Sequence, residues 1–261
     1  AINGFGRIGR NAFKIAFDRD DIEIVAINDL ADNATMAHLL LNDSNYGRYQ
    51  HKVESDEKGI SVDGKHIAVF GEKDPSALPW GEQKIDVVIE CTGFFTKKED
   101  AELHIKAGAK RVVISAPTKS EDVPTIVIGA NEDKLEGGST VISNASCTTN
   151  SVAAVMSILD EAFGIEKAML TTVHSYTASQ KLQDAPSKDL REARSAAENI
   201  VPTTTGAAIA VAKTVPQLKG KFDGLSVRVP TPVVSLSDVT ILFKKDVTVE
   251  DINSVFKKAV K

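Results

Sequence analysis

The chain has 261 residues, 42% of them hydrophobic and 26% charged, a balance that suits a globular protein of one or two domains. Its formal net charge of −5 lacks the basic excess of a general nucleic-acid or membrane-surface binder. Two widely separated cysteines, Cys91 and Cys147, make a poor disulfide framework, and no apolar run is long enough to cross a bilayer, so a reducing, cytoplasmic location is expected.

The chain opens on Gly4-Phe5-Gly6-Arg7-Ile8-Gly9, a GxGxxG motif. In a strand–turn–helix unit the first glycine makes the tight turn, the second admits a pyrophosphate to the backbone, and the third lets helix pack on strand. A helix is predicted from Arg7 to about Phe17, its N-terminal N–H groups aimed at phosphate. A strand follows at Ile22–Asn28 and ends in Asp29, twenty residues beyond Gly9. That is the place for a carboxylate on the ribose hydroxyls, and it favours NAD over the 2′-phosphate of NADP. The plain alternative is a βα turn followed by a surface aspartate.

Further strands are expected at Ile85–Glu90, Val112–Ser115, Thr125–Gly129 and Thr140–Ser143, with a helix over Lys97–Ala107. Short apolar strands alternating with helices argue for a parallel α/β sheet of Rossmann type. We expect a dinucleotide-binding domain over 1–146 and a catalytic domain over 147–261. The second half reads as α+β with a largely antiparallel sheet. Strands are expected at Lys167–His174, Leu225–Val229 and Val233–Phe243, with a polar loop from Ala178 to about Lys188. Thr248 to Asp251 spells a capping box before a final helix.

Ser146-Cys147-Thr148-Thr149-Asn150 precedes a helix with apolar Val152, Val155, Met156, Leu159 and Phe163, stopped by Gly164. A cysteine at a helix start has a lowered thiol pKa, and the thiolate is the nucleophile. Cys91, inside an apolar strand, reads as structural. Five histidines could partner Cys147. His38, His51, His66 and His104 read as surface or structural. His174 ends an apolar strand and opens a polar loop, where reactive groups are often presented. From residues alone a catalytic and a structural role for His174 both stand. No metal site is expected.

Ala1-Ile-Asn-Gly-Phe-Gly-Arg-Ile-Gly-Arg10, Ser143-Asn-Ala-Ser-Cys-Thr-Thr-Asn150, His174-Ser-Tyr-Thr177, Pro202-Thr-Thr-Thr-Gly-Ala-Ala208 and Arg228-Val-Pro-Thr-Pro232 occur in this order. Together they resemble the signature segments of the phosphorylating glyceraldehyde-3-phosphate dehydrogenase family. The resemblance implies that Cys147 attacks the aldehyde of glyceraldehyde 3-phosphate and that His174 acts as its base. A hemithioacetal and then a thioester would form, and inorganic phosphate would release 1,3-bisphosphoglycerate. It further implies that Ser146, Thr148, Thr177, Thr205, Gly206 and Arg228 hold phosphate groups. Arg7, Ile8, Asp29, Lys73 and Ser115 would bind NAD, with Thr92 and Gly93 close to the same crevice. A homotetramer is the implied assembly, with no membrane or nucleic acid required.

The chain departs from the resemblance in places. Ser179 and Glu192 stand where many bacterial members carry Asp and Arg, and Ala185 and Ser187 replace a common Leu and His. Ser151 replaces a frequent second Cys. The resemblance also implies a fragment, lacking the first residues and a C-terminal segment, and hence a weakly stable, weakly active chain. Two other readings are an erythrose-4-phosphate dehydrogenase and a non-catalytic binding protein of the same family.

Overall fold

The computed structural model describes residues 1–260. It divides into two units: Ala1–Thr125 with Lys134–Ala145, and Ile126–Asp133 with Ser146–Lys261.

The first unit contains β1 (Ile2–Asn3), α1 (Arg7–Phe17), β2 (Ala26–Asn28), α2 (Asn33–Leu41), β3 (Asn42–Asp43), β4 (Gly47–Arg48) and β5 (Val53–Ser55). It continues with β6 (Gly59–Val62), β7 (Lys65–Phe70), β8 (Val87–Glu90), α3 (Lys98–Lys106), β9 (Arg111–Ile114) and β10 (Val141–Ser143). Eight strands form one sheet in the order β10-β9-β8-β1-β2-β7-β6-β5. Pairings from β10 to β7 are parallel, and β6 and β5 extend the edge antiparallel. Ile2, Phe13, Ile27, Met36 and Leu40 fill one buried cluster, while Ala26, Trp80, Val88, Val112 and Ile114 fill another. Neighbours Ala26 and Ile27 point to opposite faces, as strand alternation demands, so both faces are covered. β1 lies between β2 and β8, and the chain therefore leaves it at a topological switch point, where open α/β sheets bind ligands.

The second unit contains α4 (Cys147–Phe163), β11 (Ile165–Ser175), β12 (Val201–Thr204), α5 (Ala207–Thr214), β13 (Phe222–Val229), β14 (Ser235–Phe243) and α6 (Val249–Ala259). Its sheet runs β12-β13-β11-β14, with only β11–β13 parallel. Ala168, Leu170 and Thr172 of β11 are buried, whereas Met169 and Val173 on the opposite face are exposed. The expected capping box is present: Asp251 N donates to Thr248 Oγ1, and Thr248 N donates to Asp251 Oδ2.

Two expected strands differ. Only Ala26–Asn28 of the Ile22–Asn28 run is a strand, because the ladders of β1 and β7 meet it at Ala26–Asn28 alone. Thr125–Gly129 makes one bridge, Thr125 to Ser143, and then turns. Asn131 Oδ1 accepts from Val127 N at 2.8 Å and Glu132 Oε2 from Gly129 N at 2.8 Å, taking the donors a ladder would need. His104 is fully buried, which selects the structural of its two readings. Cys91 is half-buried, and burial pushes its thiol up to about 11, in keeping with an inert role.

Candidate active site

In the first unit the glycines do what their spacing requires. Gly4 has φ +90°, and a Cβ there would sit 2.7 Å from Thr92 N. A Cβ on Gly9 would come within 2.0 Å of Gly4 O, so α1 can approach β1 this closely only without a side chain. Over Gly6 and Gly93 there is open space. Gly6 caps α1 with no side-chain hydrogen bond, leaving N–H groups at that end for an anion.

Asp29 follows β2, and its carboxylate also braces the glycine turn. Asp29 Oδ2 accepts from Phe5 N at 2.6 Å and Oδ1 from Ala31 N at 3.0 Å. A carboxylate offers about four lone-pair sites, so acceptor capacity remains for ribose hydroxyls. Arg7 is anchored to buried Asp43 at 2.8 Å. Ile8 and Lys73 are exposed. Thr92 N donates to Glu90 Oε1 at 2.7 Å and Ser115 N to Glu90 O at 3.0 Å, which holds both residues at the strand ends. An open glycine turn, a helix N-terminus and a carboxylate with spare acceptors fit a dinucleotide.

In the second unit Ser146 caps α4, its Oγ accepting from Thr149 N at 3.0 Å, and Cys147 is the first helical residue. β11 presents His174 on the same face as Leu170. His174 Nε2 lies 3.4 Å from Cys147 Sγ. The parallel register sets His174 directly beside Arg228 of β13. The Cys147 thiol is brought down to about 7, chiefly by the His174 hydrogen bond, with help from Thr148 against an opposing effect of burial. His174 is correspondingly raised, first by Cys147, while burial and Arg228 oppose. Both shifts favour a thiolate–imidazolium pair.

The His174 ring is oriented from behind. Nδ1 lies 2.7 Å from Ser175 O and 2.6 Å from Arg228 Nη1, which also donates to Ser175 O at 3.3 Å. One nitrogen cannot donate to a carbonyl and accept from a guanidinium at once. Arg228 Nη1 only donates, so the 2.6 Å contact is a hydrogen bond when Nδ1 is bare, and the Ser175 O contact is one when Nδ1 carries the proton. Arg228 Nε is buried without a hydrogen-bond partner. Burial depresses the guanidinium, while the charges of Cys147 and Glu192 raise it. An anion would satisfy it better than its present surroundings.

Cys147, His174 and Arg228 thus share one hydrogen-bonded group, with Ser146 and Thr148 flanking the sulfur in sequence. Thr177 bonds to Ser179 Oγ at 3.0 Å and to Gln180 Oε1 at 3.3 Å. Thr205 Oγ1 accepts from Ala207 N at 3.1 Å, and Gly206 caps α5. Among the described residues no hydrogen bond joins Thr177, Thr205 or Gly206 to the Cys147 group. Glu192 Oε1 accepts from Thr203 Oγ1 at 3.2 Å.

Sequence reasoning passed over Asn3, Asn28 and Glu90. The available signal was a polar residue closing each of three apolar strands. It also passed over Ser175, whose contribution is a carbonyl and leaves no side-chain signature. Among the described residues no cluster of His, Cys, Asp and Glu has the arrangement of a metal site. No helix among them is long and apolar enough to cross a membrane.

Comparison with known proteins finds one family across both units. The profile of the glyceraldehyde 3-phosphate dehydrogenase NAD binding domain matches residues 1–98, and that of the family's C-terminal domain matches residues 146–261. Glyceraldehyde-3-phosphate dehydrogenase 2 of Streptomyces avermitilis is 56% identical over 260 residues, covering 99% of this chain and 77% of that protein. The Streptomyces coelicolor glyceraldehyde-3-phosphate dehydrogenase is 56% identical with the same coverage of 99% and 77%. That of Geobacillus stearothermophilus is 55% identical over 259 residues, again 99% of this chain and 77% of the relative. With the glycine turn, Asp29 and the Cys147–His174 pair in place, the chain belongs to the glyceraldehyde-3-phosphate dehydrogenase family.

Proposed function

We propose that Cys147 and His174 carry the oxidative phosphorylation of glyceraldehyde 3-phosphate to 1,3-bisphosphoglycerate. The observation that supports these roles is the 3.4 Å approach of His174 Nε2 to Cys147 Sγ at the start of α4. The thiolate attacks the aldehyde carbon to form a hemithioacetal. His174 donates from Nε2 to the developing oxyanion and then takes the hydroxyl proton as hydride leaves the same carbon, which produces a thioester on Cys147. NAD, the cofactor of this family, supplies the hydride acceptor when bound. Phosphate attacks the thioester and frees the thiolate, which the imidazolium and the α4 N-terminus stabilise as leaving group.

Arg228 binds substrate phosphate through the guanidinium that now leans on Ser175 O. Thr177 adds a hydroxyl. Ser146, Thr148, Thr205 and Gly206 supply hydroxyl and N–H donors for phosphate at the starts of α4 and α5. Gly4, Phe5, Gly6, Arg7, Ile8 and Gly9 receive the NAD pyrophosphate, Asp29 the ribose, and Lys73, Thr92, Gly93 and Ser115 line the strand ends. Residues 147–261 form the catalytic domain and residues 1–146 the cofactor domain. The working form is a cytoplasmic homotetramer. Exposed Met169, Val173, Leu225 and Leu236 on the outer sheet face support assembly.

The test is NADH formation at 340 nm with glyceraldehyde 3-phosphate, with and without inorganic phosphate, and with erythrose 4-phosphate in its place. Turnover should require phosphate, prefer the triose and vanish in Cys147→Ser. A preference for the tetrose would favour the erythrose-4-phosphate enzyme. A folded chain with no turnover on either aldehyde would favour a binding role. Light scattering tests the tetramer.

A further inference from the structure

Asn3, Glu90 and Asn28 are the last residues of β1, β8 and β2, three neighbouring parallel strands. They stand in one register row: Asn3 pairs with Asn28 on one side and Glu90 on the other. All are buried, Asn3 at 0%, Glu90 at 1% and Asn28 at 5% exposure. The loops that leave these strands are the glycine turn, Thr92-Gly93 and Asp29.

Two hydrogen-bonded chains converge on Glu90, and each has its direction fixed at the far end. In the first, Glu72 N donates to Asn28 Oδ1 at 2.8 Å while Asn28 Nδ2 donates to Glu72 O at 2.9 Å. Backbone groups cannot reverse their roles, so this sets the Asn28 amide. Asn28 Nδ2 then donates to Asn3 Oδ1 at 2.7 Å, and Asn3 Nδ2 to Glu90 Oε2 at 2.5 Å. In the second, Trp80 Nε1 donates to His104 Nδ1 at 3.0 Å. An indole N–H only donates, so His104 carries its proton on Nε2 and gives it to Glu90 Oε2 at 3.0 Å. His104 is therefore neutral in this contact. On the other oxygen, Glu90 Oε1 takes Thr92 N at 2.7 Å and the Thr92 hydroxyl.

Four donors face one carboxyl group, three of them fixed in direction, and none is cationic. A buried carboxyl group surrounded by neutral donors, with no cation beside it, is expensive to keep. Its two oxygens divide the labour: one gathers β1 and α3, the other grips Thr92. Gly4 packs so tightly on Thr92 that a Cβ would lie 2.7 Å from Thr92 N. The position of Thr92 thus sets the position of the glycine turn.

We propose that Glu90 is a positioning residue for NAD, holding Thr92 and through it the Gly4–Gly6 turn in the conformation that receives the dinucleotide. The proposal rests on NAD binding by this unit. It concerns affinity for the cofactor and not the reactivity of Cys147. Glu90→Gln must place an NH2 group against fixed donors. The arrangement of least opposition turns the amide nitrogen to Thr92, where the hydroxyl can rotate to accept but the N–H cannot. Glu90→Asp keeps the carboxyl group and withdraws it from Thr92 by one methylene. Trp80→Phe disturbs the same buried network and leaves the Thr92 grip intact.

Isothermal titration calorimetry of NAD into the full chain and these three variants tests the idea, beside Tm and the rate of Cys147 alkylation without cofactor. Both Glu90 variants should bind NAD about tenfold more weakly, the consequence of one buried donor left unmet. Their alkylation rates should match the wild type. Trp80→Phe should lower Tm and leave NAD affinity within about twofold, since no donor at Thr92 is lost. NAD affinity that tracks Tm across all three variants overturns the proposal, as does wild-type affinity in either Glu90 variant. Should Glu90→Gln not fold, Glu90→Asp decides by the same criteria. A wild-type chain that takes up no NAD overturns both this proposal and the cofactor reading beneath it, whereas loss of Cys147 reactivity in the wild type touches only the catalytic roles.

Discussion

Replacing His174 by Asn separates the imidazole's effect on Cys147 from that of the helix start. The His174 hydrogen bond is the leading cause that brings the thiol from near 9 to about 7. Without it the thiol returns towards 9, since burial also pushes upward. At pH 7 the thiolate fraction then falls from about one half to about one per cent, a roughly fiftyfold loss. The more basic thiolate is intrinsically more nucleophilic, by roughly eightfold for two pKa units at a Brønsted slope near 0.45. The net expectation is alkylation by iodoacetamide about sixfold slower at pH 7 and several-fold faster at pH 10, so the two pH profiles cross. The assay follows modification of each cysteine by mass from pH 5 to 10. Cys91, with its thiol near 11, is an internal slow control. Superimposable profiles, or a variant slower at every pH, would refute the reasoning. The first would assign the shift to α4 alone, and the second would mean that His174 chiefly shapes access to the sulfur.

Gly9→Ala should cost about 1–3 kcal/mol of stability and weaken NAD binding, because its Cβ meets the backbone of the Gly4 turn and not a movable side chain. Thermal melts and NAD calorimetry check this, and an unchanged Tm would contradict the packing argument. His51 lies 2.7 Å from Asp63 and 2.8 Å from Asp18, and its pKa is raised, chiefly by Asp63. A group whose folded pKa exceeds its unfolded value near 6.5 contributes fully below that value and loses its contribution as pH rises through the folded pKa. His51→Gln should therefore lower Tm more at pH 6 than at pH 9. An equal loss at both would mean that ring packing against Phe17 and Tyr49 carries the effect.

What could be read along the chain was whatever local geometry dictates. Gly4 and Gly9 announce a strand–turn–helix because a side chain at either would strike backbone. Ser146 ahead of Cys147 announces a capped helix, and Thr248 with Asp251 announces another. These signals operate over a few residues, so the chain carries them without its partners. Strand edges were less legible. The Ile22–Asn28 run has the composition of a strand throughout, but a ladder needs a neighbour, and neighbours reach only Ala26–Asn28. Thr125–Gly129 has strand composition as well, yet Asn131 and Glu132 reach back for its N–H groups.

The turn, the carboxylate after β2 and the thiol at a helix start were legible in the chain, since each depends on residues close together in it. The rest came from contacts between distant segments. His174 could be singled out as a strand-end histidine, but its place against Cys147 comes from the packing of α4 on the sheet. Its neighbour Arg228 comes from the parallel register of β11 and β13, between residues 54 apart. His104 looked like any polar residue on a charged helix until Trp80 and Glu90 enclosed it. A buried hydrogen bond is written by both partners at once, and only the folded chain brings them to the same point.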